Sequence, residues 1–318
     1  MNYIIQYHYE NFDDIFKNIV AIRHRTTFKF MECVVEFYQF EDRNIIFWFD
    51  GSELSKQEIQ KKMINAIKVL SFLFGLNLYV ENKCLRKIEK KIEVNNLLGK
   101  KWKNNLQYVE KKISRFKVTK QFFYEMLDLI NVAYENLYNR REEDAFIYFF
   151  KVIEKIAKKH YLIYMERQHT SKKVKNNKQE LRKILKNYTE SLLQVELTEN
   201  MMDRKVDYFY KNIKLEFYGN IFNKISLFIK KKNIDININK VSDIVKARNK
   251  IAHGDYIEPK ELDNLLYPCE YLANQMFSFY FFQKNYLDLK LRSYRYNKGK
   301  DIYEDIYGYV KSGSVTIN

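Results

Sequence analysis

Two rhythms of apolar residues divide the chain. Between Thr26 and Asp50, β-favouring residues crowd into two runs, TTFKFMECVVEFYQF and NIIFWFDG, the second closing on the turn pair Asp50-Gly51, and these predict two strands. Beyond them the spacing becomes helical. Ser55 followed by Glu58 is a capping-box pattern, Ile59, Met63, Ile67, Leu70 and Phe74 recur at helical intervals, and Gly75 is placed to close the helix. LNLYV, residues 76–80, reads as a third strand.

Past NNLLGKK the helical period persists. Trp102, Leu106, Val109, Ile113 and Phe116 share one stripe, followed by FFYEMLDLINVAYENLY and DAFIYFFKVIEKIAKKHYLIY. HTSKKVKNNK, residues 169–178, carries four lysines without a core-forming period and predicts an exposed loop between core helices. RKVDYFYKNIKLEFYGNIFNKISLFIKKK resumes the helical pattern. From Asn239, the residues Val241, Ile244, Val245, Ile251 and Ala252 define one helix face that Gly254 ends, and Pro259 suits the first turn of the next helix, PKELDNLLYPCEYLANQMFSFYFFQ. The chain closes on KNYLDLKLRSYRYNKGK and an irregular tail. This organisation predicts a small α+β domain over residues 1–95, a helical connector over 96–140, an all-α helical domain over 141–285 and a basic C-terminal tail over 286–318, mainly α overall.

Composition sharpens the picture at three points. With 46% hydrophobic residues and only two prolines and eight glycines, the chain is globular and helix-prone rather than disordered. The 56 Lys and Arg against 40 Asp and Glu give a formal charge of +16, a surplus that attracts phosphate polymers and puts nucleic acid first among partners. An AT-rich genome would inflate Lys, Asn, Ile, Tyr and Phe in the same way, so the charge alone decides nothing. Cys33, Cys84 and Cys269 are widely spaced and odd in number, which fits a reducing cytoplasm and indicates neither a disulfide framework nor a thiolate metal site. The N-terminus has no signal-peptide pattern, and the longest apolar run, VLSFLFGLNLYV, is too short to span a bilayer, so no membrane association is expected.

The stretch KARNKIAHGD, residues 246–255, carries the candidate chemistry. An ideal helix advances roughly 100° per residue, which puts Asn249 and His253 close to one face and Arg248 about 140° away from His253. Arginine offers fixed, fork-shaped donors to phosphate oxygens, and histidine can move protons near neutral pH. Two such helices facing one another across a two-fold axis would line one cleft with two copies of each residue. That set suits cleavage of RNA by its own 2′-hydroxyl without a metal or any other cofactor.

RNKIAHG resembles the Arg-x4-His motif of the HEPN superfamily, helical domains that include metal-independent endoribonucleases of phage defence and toxin-antitoxin pairs. The setting, with FIYFFKVIEKIAKK, a basic connection and HGD before a last long helix, resembles the Apea-like, abortive-infection branch over residues 140 to 285. The resemblance implies an endoribonuclease with Arg248, Asn249 and His253 as catalytic residues, acting in anti-phage defence or as a toxin. It also implies RNA as substrate, a homodimer as the active unit, and a regulatory or antitoxin protein as a further partner. Glu154, on the first helix of that region, is a candidate to hold Arg248 in place, although lysines on both sides of it also suit a solvated position.

Lys172, Lys173, Lys175 and Lys178 of the 169–178 segment, together with Lys250, Arg292 and Arg295, are candidate RNA contacts, since cations mixed with amides or tyrosines grip phosphates and stack bases. The aromatics of FSFYFF exceed what one small helical core needs and are expected to be buried across the dimer.

Two other readings stay open. A non-catalytic HEPN-fold module would bind RNA or protein through its basic surface, with Arg248 pairing a core acid and His253 merely ending a helix. A metal-dependent nuclease, the less favoured of the two, would use scattered carboxylates; Glu89-x-Lys91 and Glu110-x-Lys112 resemble fragments of such sites, but triplets of this kind are common wherever lysine is abundant and are discounted. His8, His24, His160 and His169 form no metal-ligand spacing.

Overall fold

A computed structural model describes residues 2–8, 26–37, 44–50, 54–75, 77–78, 86–88, 93–94, 98, 100–169, 172–191, 198–291, 293–297, 300–304 and 309–311. The protein is mainly helical and divides into two compact units, one of Met1–Phe149 with Phe277–Asn318 and the other of Phe150–Met276.

The first unit is built on a five-stranded antiparallel sheet in the order β2-β3-β4-β1-β5, with β1 Asn2–His8, β2 Thr26–Phe30, β3 Cys33–Phe37, β4 Asn44–Asp50 and β5 Arg86–Ile88. The run TTFKFMECVVEFYQF, expected as one strand, folds on itself. Phe30 pairs with Cys33, so Met31 and Glu32 form a two-residue turn with φ of 49° and 67°, the left-handed geometry that matches strand twist. The Met31 amide donates to Glu110 Oε1 at 2.9 Å, which gives that carboxylate a structural task. Alternation places Phe28, Phe30, Cys33, Val35, Phe47 and Phe49 in the core. Trp48 is buried too, its indole donating to Glu36 Oε2 at 2.8 Å. Strands β1 and β5 were not expected from the pattern. Asn77 and Leu78, the described part of LNLYV, lie outside any strand.

Helix α1, Lys56–Phe74, starts and stops where its punctuation indicates. Ser55 and Glu58 close the capping box, and Gly75 ends the helix at φ 65°. Its stripe Ile59, Met63, Ile67, Leu70 and Phe74 is buried. Helices α2 (Lys100–Ile113) and α3 (Lys120–Tyr138) add Trp102, Leu106, Phe123 and Ile130 to this core, with Trp102 edge-on to Phe74 at 5.3 Å.

The end of α9 (Pro259–Phe281) also belongs to this unit. Phe277, Phe281 and Phe282 are buried against Phe72, Phe116 and Phe123 of the same chain. Phe277, Phe281 and Phe282 of FSFYFF are therefore buried within one chain without a dimer, while Phe279 and Tyr280 stay half-buried. The short helix α10, Tyr286–Leu289, follows, with Tyr286 Oη donating to the Phe72 carbonyl at 3.0 Å.

The irregular tail expected at the C-terminus is corrected as well. By backbone, Ser293–Asn297, Lys300–Glu304 and Tyr309–Lys311 form β6, β7 and β8 of a three-stranded antiparallel sheet. Tyrosine and isoleucine among the charges supply the strand preference.

Among the described residues the elements of the second unit are all helices: α4 (Glu142–His169) from Phe150 onward, α5 (Lys172–Ser191), α6 (Glu199–Gly219), α7 (Ile221–Lys232), α8 (Ile238–His253) and α9 up to Met276. Of the segment 169–178 expected as a loop, His169 ends α4 and 172–178 form the start of α5, while 170 and 171 lie outside the described residues. That helix has half-buried Leu181 and Leu185 and buried Thr189 at four-residue intervals, and ion pairs from Lys178 to Asp207 (2.5 Å) and Arg182 to Asp203 (2.7 Å) and Glu199 tie it to α6. The long run RKVDYFYKNIKLEFYGNIFNKISLFIKKK breaks at Asn220, whose side chain accepts from the Asn223 amide at 2.8 Å and caps α7. Among the described residues no helix is long and apolar enough to cross a membrane.

Candidate active site

Helix α8 carries the motif between two firm ends. At the start, the Asn237 side chain accepts from the Asn239 amide at 2.8 Å. At the other end Gly254 adopts φ 76°, its amide bonding the Ile251 carbonyl at 3.1 Å and the next amide, Asp255, bonding the Lys250 carbonyl at 2.9 Å. This paired closure fixes the last helical turn, the one bearing His253.

The buried stripe of α8 runs through Val241, Ile244, Val245 and Ala247. Ile251 is half-buried and Ala252 exposed, so the apolar face expected to reach Ala252 stops short of it. Arg248 occupies the next step of the stripe at one third exposure. Its guanidinium lies over the Phe150 ring at 5.4 Å, and its Nη2 faces Glu154 Oε2 at 3.6 Å. Its Nη1 donates to Asn249 Oδ1 at 3.1 Å. The long side chain thus reaches from the α4 face toward the face that presents Asn249 and His253, both exposed.

Phe150, Glu154 and Lys158 stand four residues apart on one side of α4, and Lys158 Nζ bonds Glu154 Oε1 at 2.6 Å. One carboxylate therefore serves two cations, Arg248 and Lys158. Phe150 and Lys158 were missed in the sequence. Their four-residue spacing about Glu154 was the available signal, but spacing does not say which helix lies opposite.

Comparison with protein-family models, with curated proteins and with solved structures finds no match. The reading of this site therefore stands on its own geometry and on the motif.

Among the described residues His253 has no hydrogen-bond or ion-pair partner. Its imidazole is exposed on the capped last turn, free to meet a ligand. Lys250 is engaged, pairing with Glu261 of α9 at 3.1 Å beside a groove of about 440 Å³ between α8 and α9.

Of the other proposed RNA contacts, Lys178 is paired to Asp207 on the α5–α6 hairpin. Lys172, Lys173 and Lys175 belong to the first turn of α5 and Arg295 to β6 by backbone, their side chains lying outside the described residues. Arg292, His24, Glu89, Lys91 and Cys84 lie outside the described residues altogether, as do the side chains of His8 and His169. His160 packs edge-on against Phe228 at 4.8 Å, a core role. Cys33 and Cys269 are buried free thiols, and burial pushes Cys33 up to about 12 and Cys269 upward as well. Neither is poised as a nucleophile.

The arrangement offers a cationic fork, an amide and an imidazole on one exposed helix end. The fork can neutralise a phosphate, and the imidazole can take or give one proton.

Proposed function

We propose that the protein is a HEPN-type, metal-independent endoribonuclease. In this reading a ribose 2′-oxygen attacks the adjacent phosphorus as its proton leaves, the bond to the 5′-oxygen breaks, and that oxygen is protonated. The products are a 2′,3′-cyclic phosphate and a 5′-hydroxyl. His253 moves protons, Arg248 stabilises the crowded phosphate with Asn249 beside it, and Glu154 positions Arg248. The observation that carries the reading is the reach of Arg248 from its Glu154 partner to Asn249, on a helix whose capped end presents His253 exposed.

A concerted displacement is best served by one group that takes the 2′-proton and a second that protonates the 5′-oxygen, and among the described residues the α8 end presents one imidazole, His253. We therefore take the active unit to be a homodimer in which two α8 ends share a cleft. RNA cleavage of this kind suits anti-phage defence or a toxin restrained by a regulatory protein. The rival reading, a non-catalytic HEPN-fold module that binds RNA or protein, draws on the same Arg248–Glu154 pair as a structural lock.

Incubation of the purified protein with RNA in EDTA separates these readings. Cleavage should persist, the ends should be cyclic phosphate and 5′-hydroxyl, and Arg248→Ala or His253→Ala should each lower the rate at least about 100-fold with an unchanged circular dichroism spectrum. Ends bearing 5′-phosphate, or loss of activity in EDTA, would count against the histidine mechanism. Binding without cleavage would establish the module. Full activity at a concentration where light scattering gives a monomer would remove the shared cleft.

A further inference from the structure

Helices α1 and α3 of the first unit touch where Asn131 Nδ2 donates to the Lys68 carbonyl at 3.3 Å and Lys68 pairs with Asp128 at 2.7 Å, and a cavity beside that contact is lined by the N-terminal halves of both helices. The space between them is an open-sided groove of about 1080 Å³, at the upper end of what small-molecule pockets occupy. On α1 the lining residues Gln57, Lys61, Asn65 and Lys68 follow one helical face, spaced over about 17 Å of axis. Lys117, Lys120 and Tyr124 face them from α3 and the turn before it.

The charges in the groove are not balanced. Five lysines line it against three carboxylates, Glu58, Glu125 and Asp128. Glu58 is committed to Ser55 in the capping box and Asp128 to Lys68, while Lys62 is taken by Glu32. Lys61, Lys117 and Lys120 are exposed and have no ion-pair partner among the described residues. Around them stand amide side chains, which both donate and accept, and a half-buried tyrosine ring. A purely solvated helix face has no need of concavity. Alternating lysines, amides and an aromatic along a track are the makings of a strand-binding surface, where cations follow the backbone and rings and amides meet bases.

We propose that this groove binds a single-stranded RNA segment, a docking site on the sheet-bearing unit additional to the α8 motif. The assignment rests on RNA being the substrate, and it concerns capture rather than chemistry. Lys61, Lys117 and Lys120 contact phosphates, Tyr124 offers a stacking face, and Gln57, Gln121 and Asn65 meet base edges.

The test measures binding, so that it does not depend on cleavage. In the full-length His253→Ala chain, a labelled oligoribonucleotide of about a dozen nucleotides is titrated at several salt concentrations. Lys61→Gln, Lys117→Gln and Lys120→Gln together should weaken binding about tenfold or more and reduce the slope of log affinity against log salt by about 2, the share of three phosphate contacts on a single strand. The three positions are exposed, so the fold should tolerate the change. The same charge loss at exposed Lys183, Lys205 and Lys230 should shift the affinity far less.

Equal loss in the two triple variants would reduce the effect to net charge and overturn the groove. So would unchanged binding in the groove variant. Displacement of the oligoribonucleotide by equimolar ATP would assign the groove to a small phosphate ligand and also overturn the strand assignment. If the groove binds as proposed but wild-type protein cleaves nothing, the docking site stands and the nuclease reading falls. The converse result separates them the other way.

Discussion

Arg248 meets three neighbours of different chemistry: a carboxylate, an amide oxygen and a ring face. Its placement on the apolar stripe was legible in the sequence, because positions 241, 244, 245 and 248 follow the helical interval. The identity of its partners was only half legible. Glu154 was a candidate flanked by lysines, whereas Phe150 and Lys158 depend on which side of α4 meets α8, a fact of packing that no local pattern encodes.

Glu154→Gln keeps the shape and removes the charge, so Arg248 should lose its anchor while the fold persists. The pair is partly exposed, and its removal should change unfolding free energy by no more than about 1 kcal/mol. Catalysis should suffer more. The turnover rate should fall about tenfold or more with KM little changed, since a misaimed guanidinium fails chiefly in the transition state. A turnover rate equal to wild type would make Glu154 a bystander.

At the scale of elements, punctuation was the most dependable signal. Ser55, Glu58 and Gly75 bound α1, and Gly254 bounds α8, because capping is a short-range matter of hydrogen-bond geometry. The failures were also physical. The inward-facing residues of α5, Leu181, Leu185 and Thr189, begin only after its lysine-rich first turns, so the segment up to Lys178 shows no apolar period of its own, and ion pairs from Lys178 and Arg182 to α6 are not legible in a local pattern. Strands β1 and β5 sit at the far side of the sheet order, where pairing between distant segments decides.

Gly254 supplies the sharpest test at this scale. A Cβ there would meet nothing within 4 Å, so Gly254→Ala costs only the strain of a positive φ, about 1 kcal/mol. That strain falls on the turn that ends the helix after His253. Cleavage should therefore drop further than global stability does, and Gly254→Asn, which tolerates the left-handed region better, should recover part of it. Equal activity of Gly254→Ala and wild type would show that a firm cap at this end is not needed.

For the whole molecule, alkaline pH is the informative variable. Burial raises Cys33 from its ordinary 9.0 to about 12, and raises Cys269 and Tyr124 in the same direction. Each folded group holds its proton more tightly than the unfolded chain does. The stability they contribute is fully present below pH 9 and is lost as pH climbs toward 12. The thermal midpoint should accordingly be flat from pH 7 to about 9 and fall above it. The two described thiols, Cys33 and Cys269, should resist alkylation in native protein at pH 8 and react on unfolding. A midpoint independent of pH up to about 11 would contradict the burial that the structure gives these groups.

The two tryptophans of the sequence, Trp48 against Glu36 and Trp102 against Phe74, both lie in the sheet-bearing unit, and both are buried. Intrinsic indole emission is therefore a signal from one half of the protein. A fluorescence melt reports directly on that half, and a local loss of order around Arg248 and His253 need not register in it. An inactive variant with a normal emission spectrum would still need a second optical probe, such as a tryptophan introduced at exposed Tyr256, before its loss of activity could be credited to chemistry.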